Sequence, residues 1–225
     1  MNIKKITLLT SCLMLSGLML SGCSKDSNTF VQKEYTASGA QIDDISIDVR
    51  DRQIDVSLSK DNDIHITYFE DINEGYNIAV SDNHTLIMTG ISSKSWTDYI
   101  DIQPSIVYRT ISLQIPDALL DQLELSTTNE DISLPSLTVS DGISLSSNGG
   151  SINFDALDVG SSLCLSAKNG NIVGAVIGSC DDFTIQTNIK KGESNLPATK
   201  PDGDKSLKAA CNNGNVNIEF IGKRP

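Results

Sequence analysis

Apolar residues recur every 20 positions through the second half of this 225-residue chain. Leu125, Leu145, Leu165 and Ile185 keep that step, as do Leu123, Ile143, Leu163 and Phe183. Leu137, Leu157 and Ile177 form a third column, and Ile132, Ile152 and Ile172 a fourth. The turns share the register: Asn129-Glu-Asp-Ile, Gly149-Gly-Ser-Ile and Asn169-Gly-Asn-Ile fall in equivalent places, and the pattern returns at Asn213-Gly-Asn-Val. A fixed internal period is the sequence mark of a repeat architecture, in which one short unit cannot bury its own apolar face.

Within each unit the pattern is β. Apolar and polar residues alternate in short runs, as in Leu123-Glu-Leu125 and Ile143-Ser-Leu145. The runs end at Asn, Gly or Asp, which tolerate the backbone of tight turns. The first half reads the same way less regularly, through Ile45-Ser-Ile-Asp-Val49, Ile54-Asp-Val-Ser-Leu58, Ile64-His-Ile66 and Tyr76-Asn-Ile-Ala-Val80. These patterns predict an all-β protein, a single-stranded parallel β-solenoid with rungs of about 20 residues, each rising by about 4.8 Å. Leu125, Leu145, Leu165 and Ile185 are expected to stack in one buried column.

The repeated pieces SSNGGSINF, SAKNGNIVG and CNNGNVNIEF, with IDVRDRQIDVSLSKDNDIHITY upstream, resemble the bacterial "putative adhesin" domain of unknown function, also described as β-strand-repeat proteins. The resemblance covers 42–222 and implies a β-solenoid at the cell envelope.

The first 23 residues carry a separate signal. Lys4 and Lys5 precede an apolar run, and the run closes on Leu20-Ser-Gly-Cys23. This is the layout of a signal peptide, too short to span a bilayer comfortably, and its end resembles the lipobox of bacterial lipoproteins. The expected organisation is a lipoprotein signal peptide over 1–22, a lipidated Cys23 with a flexible tether over 23–41, and the β domain over 42–222. Polar residues 24–36 show no apolar periodicity, which is the basis for the tether. The implied partner is a membrane, the cell membrane or an outer membrane, reached through the lipid anchor, with the domain facing outside the cytoplasm.

Charge narrows the function. The formal net charge is −12, and removing Lys4 and Lys5 with the signal takes it to −14. With no basic patch, nucleic acid is not expected as a partner. Cys164, Cys180 and Cys211 remain in the mature chain. One disulfide, a thiolate metal site, or unpaired thiols are all open, though no CxxC and no neighbouring His supports metal. His65 alternates with Ile64 and Ile66, placing it on a solvent face, and His84 lies in a turn. Neither stands near a Ser or Cys at a spacing that suggests a triad. Asp48 and Asp55 alternate with Ile and Val as a solubilising face, and Asp61-Asn-Asp63 and Asp202-Gly-Asp204 read as turns short of a calcium loop. Two irregular stretches interrupt the repeat. Residues 91–104, with Trp96 and Tyr99, are expected to cap or flank the solenoid, and 190–205 to form a solvated loop. No cofactor and no catalytic residue is expected. The chain reads as a non-enzymic surface module that binds a protein or a glycan, or alternatively as a structural or sensory scaffold contacting other envelope proteins.

Overall fold

The computed structural model describes residues 29–92 and 103–222. They form eighteen strands. The first seven are β1 (Val31–Ser38), β2 (Asp44–Asp48), β3 (Gln53–Leu58), β4 (Asp63–Glu70), β5 (Glu74–Val80), β6 (Thr85–Ser92) and β7 (Thr110–Ile115). The regular middle follows as β8 (Gln122–Thr127), β9 (Ile132–Leu134), β10 (Leu137–Val139), β11 (Gly142–Ser147), β12 (Ile152–Val159), β13 (Ser162–Ala167) and β14 (Ile172–Ile177). The chain closes with β15 (Phe183–Lys191), β16 (Thr199–Lys200), β17 (Lys205–Asn213) and β18 (Val216–Ile221). Two nine-stranded sheets result. One runs β1-β4-β7-β3-β9-β12-β14-β18, with β10 also on β12, and the other β16-β15-β17-β13-β11-β8-β2-β6-β5.

In the middle the repeat is realised as expected. Ile143 lies beside Leu123 and Leu163, and Leu145 beside Leu125 and Leu165, all in parallel register. In the facing sheet Ile54, Ile132, Ile152, Ile172 and Val216 follow one another across five strands. Both columns are essentially fully buried and belong to one continuous core. Alternation of small polar and large apolar residues therefore sends every second side chain into the space between the sheets.

The ends depart from a single parallel coil. β1 with β4, β4 with β7, β5 with β6, and β15 with β16 are antiparallel, so both sheets are mixed. Tight turns accompany the reversals: the turn at His84, whose φ is a left-handed 59°, makes the β5–β6 hairpin, while Asp61, accepting the Asp63 N–H, caps the turn from β3 to β4, and Asp71, accepting the N–H groups of Asn73 and Glu74, caps the turn from β4 in one sheet to β5 in the other.

Three expectations are corrected. The tether does not extend to residue 41, because Val31–Ser38 pairs along its whole length with β4. It is an edge strand, exposed over its first half, so it shows no apolar period. Ile185 and Phe183 do not extend the Leu165 and Leu163 columns. The later strand β17 lies between β13 and β15, and this puts Ala209 beside Leu165 and pairs Ile185 with Leu207. Ile177 likewise misses Leu157, which sits beside Val176 because a bulge in β12 between Asn153 and Ala156 shifts the register. The 190–205 stretch is not merely a solvated loop. Leu196 is buried, and the Asn195 amide donates to the Ile218 carbonyl and accepts the Ile218 N–H, filling the open edge of β18. The other irregular stretch, 91–104, falls mostly outside the described residues.

The corners explain which rungs become neighbours. The Ser151 N–H donates to Asp131 Oδ1 (2.7 Å), the Asn171 N–H to Ser151 Oγ (3.1 Å) and the Asn215 N–H to Asn171 Oδ1 (2.9 Å). Asn213 Nδ2 also donates to Asn169 Oδ1 at 2.7 Å. The turn before β18 thus docks on the turn before β14, although 44 residues separate them. Glycines make the stack possible. A Cβ on Gly150, Gly170 or Gly214 would fall inside the carbonyl group of the corner below, at Glu130, Gly150 and Gly170 respectively. After β15 the corresponding residues are Lys190-Lys-Gly-Glu193, with no Asn to take the inner place.

Two stability predictions follow from this packing. Leu145→Ala should lower unfolding free energy by about 2–5 kcal/mol, and Ser146→Ala by no more than about 0.5 kcal/mol. Gly170→Ala, though it adds only a methyl group, should destabilise as a core deletion does. Denaturant titration of the three variants checks this, and a neutral Gly170→Ala would refute the corner contact.

Candidate functional site

A regular polar surface covers the outer face of the β15–β6 sheet. Inward Leu and Ile force their neighbours outward, and in this repeat those neighbours are short and polar. Ser126, Ser146 and Ser166 lie side by side on β8, β11 and β13. A second row runs Ser46, Glu124, Ser144, Cys164, Lys208 and Gln186. A third ends in Ser162, Ser206 and Thr184. Parallel pairing sets neighbours within a row about 4.8 Å apart and successive rows about 6.6 Å apart. The result is a flat, hydroxyl-rich plane on a rigid scaffold, able to donate and accept hydrogen bonds over an area.

One constellation was not legible in the sequence. Thr36 on β1 stands directly opposite His65 on β4. Thr36 Oγ1 lies 3.2 Å from His65 Nδ1, and His65 Nε2 lies 2.9 Å from Asp61 Oδ1. Acid, imidazole and hydroxyl are therefore in line. Thr36 falls in the stretch expected to be tether; the signal that marks a strand there is the inward alternation of Tyr35 and Ala37, both packed against the core. The line sits on an open strand face and borders neither of the two recesses described below, so its chemistry is a cross-strand brace that pins β1. His65 is outward as expected, with its side chain 31% exposed. His84 Nδ1 lies 3.0 Å from Asp43 Oδ2 at the opposite corner. Hydrogen bonds from His65, Ser59 and the Asp63 N–H hold the Asp61 carboxyl at about 2, below its ordinary 3.8.

The other expected chemistry does not converge. Cys164 is exposed on β13, Cys211 is buried on β17, and Cys180 lies in the short 3-10 turn Cys180–Asp182; all three are free thiols. Burial pushes the Cys211 thiol upward. Among the described residues no cluster of His, Cys, Asp or Glu is placed to hold a metal ion. A shallow recess of about 480 Å³ lies at the β18 end, lined by Cys180, Asp182, Lys205 and Phe220. A smaller one of about 170 Å³ surrounds Arg52, which pairs with Glu74 at 3.0 Å and donates from Nε to Tyr76 Oη at 2.6 Å. With its guanidinium also bonded to the Arg50 and Asp51 carbonyls, Arg52 clasps the β5–β6 hairpin to the β2–β3 corner. Cys23 and the signal over 1–22 lie outside the described residues. Among those described, no helix is long and apolar enough to cross a membrane.

A family model matches residues 42–222. The chain belongs to the Toastrack DUF4097 family. The matched stretch opens just before β2, so β1 is an edge strand outside the Toastrack boundary. Among solved structures, a "putative cell adhesion protein" from Clostridium sporogenes is similar at 10% identity, with 86% of this chain and 100% of that chain covered and a TM-score of 0.52. A "putative adhesin" from Bacteroides fragilis is similar at 14% identity, with 87% and 98% covered and a TM-score of 0.29. No curated protein matches the sequence. The first of these solved structures shares the Toastrack chain's fold.

The Asp61 carboxyl gives a test by pH. Because its folded pKa is depressed, its contribution to stability is present above 3.8 and is lost as the pH falls through about 2. Carbon-detected NMR titration should place its midpoint near 2, and His65→Ala should raise that midpoint toward 3.8. An unmoved midpoint would show that the imidazole is not the cause.

Proposed function

We propose that this protein is a lipid-anchored module of the cell envelope that binds a polymer, glycan or protein, over the hydroxyl-rich outer face of the β15–β6 sheet. The observation that supports it is the continuity of that face: rows of short, mostly polar residues, serine the commonest, with Glu124, Cys164 and Lys208 among them, cross β2, β8, β11, β13, β17 and β15 without a break in register. Short side chains on a ladder-paired backbone lose little conformational freedom on contact, so weak hydrogen bonds add up over area. The fold relative from Clostridium sporogenes carries the words "cell adhesion", and the reading adopts that class of activity. The anchor is Cys23 behind Leu20-Ser-Gly. One acyl chain holds a protein marginally and two hold it stably, and lipoproteins of this type carry at least two.

Two experiments test the proposal. Cys23→Ala should abolish incorporation of a fatty-acid probe and release the chain from the membrane fraction; continued labelling would place the anchor elsewhere. Binding of the purified chain to envelope polysaccharides and envelope proteins should be lost in Ser144→Arg/Ser146→Arg, which roughens the face without touching the core, while thermal unfolding stays unchanged. Binding that survives the double variant would move the contact off this face.

A further inference from the structure

Five large apolar side chains with more than a third of their surface exposed gather where the chain enters the fold. They are Val31 (48%), Ile72 (88%), Ile106 (39%), Val107 (59%) and Tyr108 (40%). Strand register brings them together. Val31 opens β1 opposite Glu70, the last residue of β4, and Ile72 occupies the turn that follows. Ile106–Arg109 is a short 3-10 segment leading into β7, which flanks β4 on its other side. Aromatic rings knit the patch: Phe30 stacks on Tyr108 at 4.7 Å, and Phe69 meets Tyr108 edge-on at 5.5 Å. Other exposed apolar residues, such as Leu58, Val80, Leu119, Val173 and Ile221, stand in separate elements.

We infer that this apolar apron rests on the lipid surface to which the chain is anchored, so that the Toastrack domain stands on its β1–β4 end. The inference rests on the lipidation of Cys23 proposed above. Its warrant is the length of chain outside the fold and where that chain ends. Because β1 begins at Val31, only seven peptide steps separate Cys23 from Phe30, a reach of at most about 25 Å when fully extended. The apron cannot leave the neighbourhood of the bilayer. Tyr and Phe partition to the boundary between headgroup and acyl chain, and aliphatic side chains beside them add buried apolar area. Of the charges around the apron, Arg109 is paired with Glu130, while the Glu70 and Asp71 carboxylates are turned onto backbone N–H groups, of Tyr76 and of Asn73 and Glu74 respectively, and keep their charge. Lys33, exposed on β1, offers a cation to anionic headgroups.

The test uses the full lipidated chain in vesicles of phosphatidylcholine and phosphatidylglycerol with brominated acyl chains. Trp96, outside the described residues, is replaced by Phe, and one indole is introduced by Val107→Trp at the apron or by Asn188→Trp on β15 at the far end. Both positions are exposed. The Val107→Trp emission should be more than halved by the brominated lipid, and the Asn188→Trp emission unchanged. Unquenched Val107→Trp in a chain that still floats with the vesicles overturns the inference and leaves the anchor standing. Quenching at both positions means that the domain lies flat and also overturns it. A chain that fails to float and carries no acyl group by mass spectrometry overturns the anchor, and the inference with it.

Discussion

The side-chain ladder at the Asn-Gly corners is the interaction on which the rest of this structure depends. Parallel strands have no hairpin to set their register, and a slip of one residue would turn every Leu and Ile outward. Here the register is read at the corners. Asp131, Ser151, Asn171 and Asn215 each receive a backbone N–H from the next rung. Glycine beside them lets one corner sit on the carbonyl of the corner below. Once the corners are matched, the isoleucine column from Ile54 to Ile172 follows, and hydrophobic burial does the remaining stabilisation.

The same ladder accounts for the order of strands. The regular rungs are adjacent in sequence only from β8 to β14. On one side β2 and β3 flank them, and β6 and β7 lie further out. On the other side β17 and β18 take the inner place and β15 the outer. Arg52 closes the first end by tying Glu74 and Tyr76 to the β2–β3 corner. Asn195 closes the second by imitating a peptide group along β18. Asn195 thereby covers part of the edge that a further rung would have covered, whereas at the first end the edges are the strands β1 and β5 themselves.

Much of this was legible in the chain and some was not. The β class, the 20-residue step from Leu123 to Ile172 and the return of the pattern at Asn213 are direct consequences of side-chain alternation and turn chemistry. The position of Ile185 was not, because a fixed period cannot show that a later segment carries a better corner. Asn213-Gly-Asn competes for the place beside Asn169-Gly-Asn and takes it, and the Lys190-Lys-Gly-Glu turn stacks outside. β1 was missed because an edge strand exposed to solvent has no apolar period, and with it went the Thr36–His65–Asp61 brace. The hydroxyl rows of the candidate face were visible as polar alternation, but their juxtaposition across β13, β17 and β15 required the exchanged strand order. The lipobox-like run Leu20-Ser-Gly-Cys23 is a linear pattern, readable without any fold.

The place of β17 between β13 and β15 has a consequence for how such a chain matures. A polypeptide is made from its N-terminus, yet among the described residues β15 has no parallel neighbour except β17, and its antiparallel partner β16 supplies only two residues. A chain truncated before Lys205 would lack the strand that pairs with both β13 and β15, so this end of the sheet is complete only when the chain extends as far as Asn213.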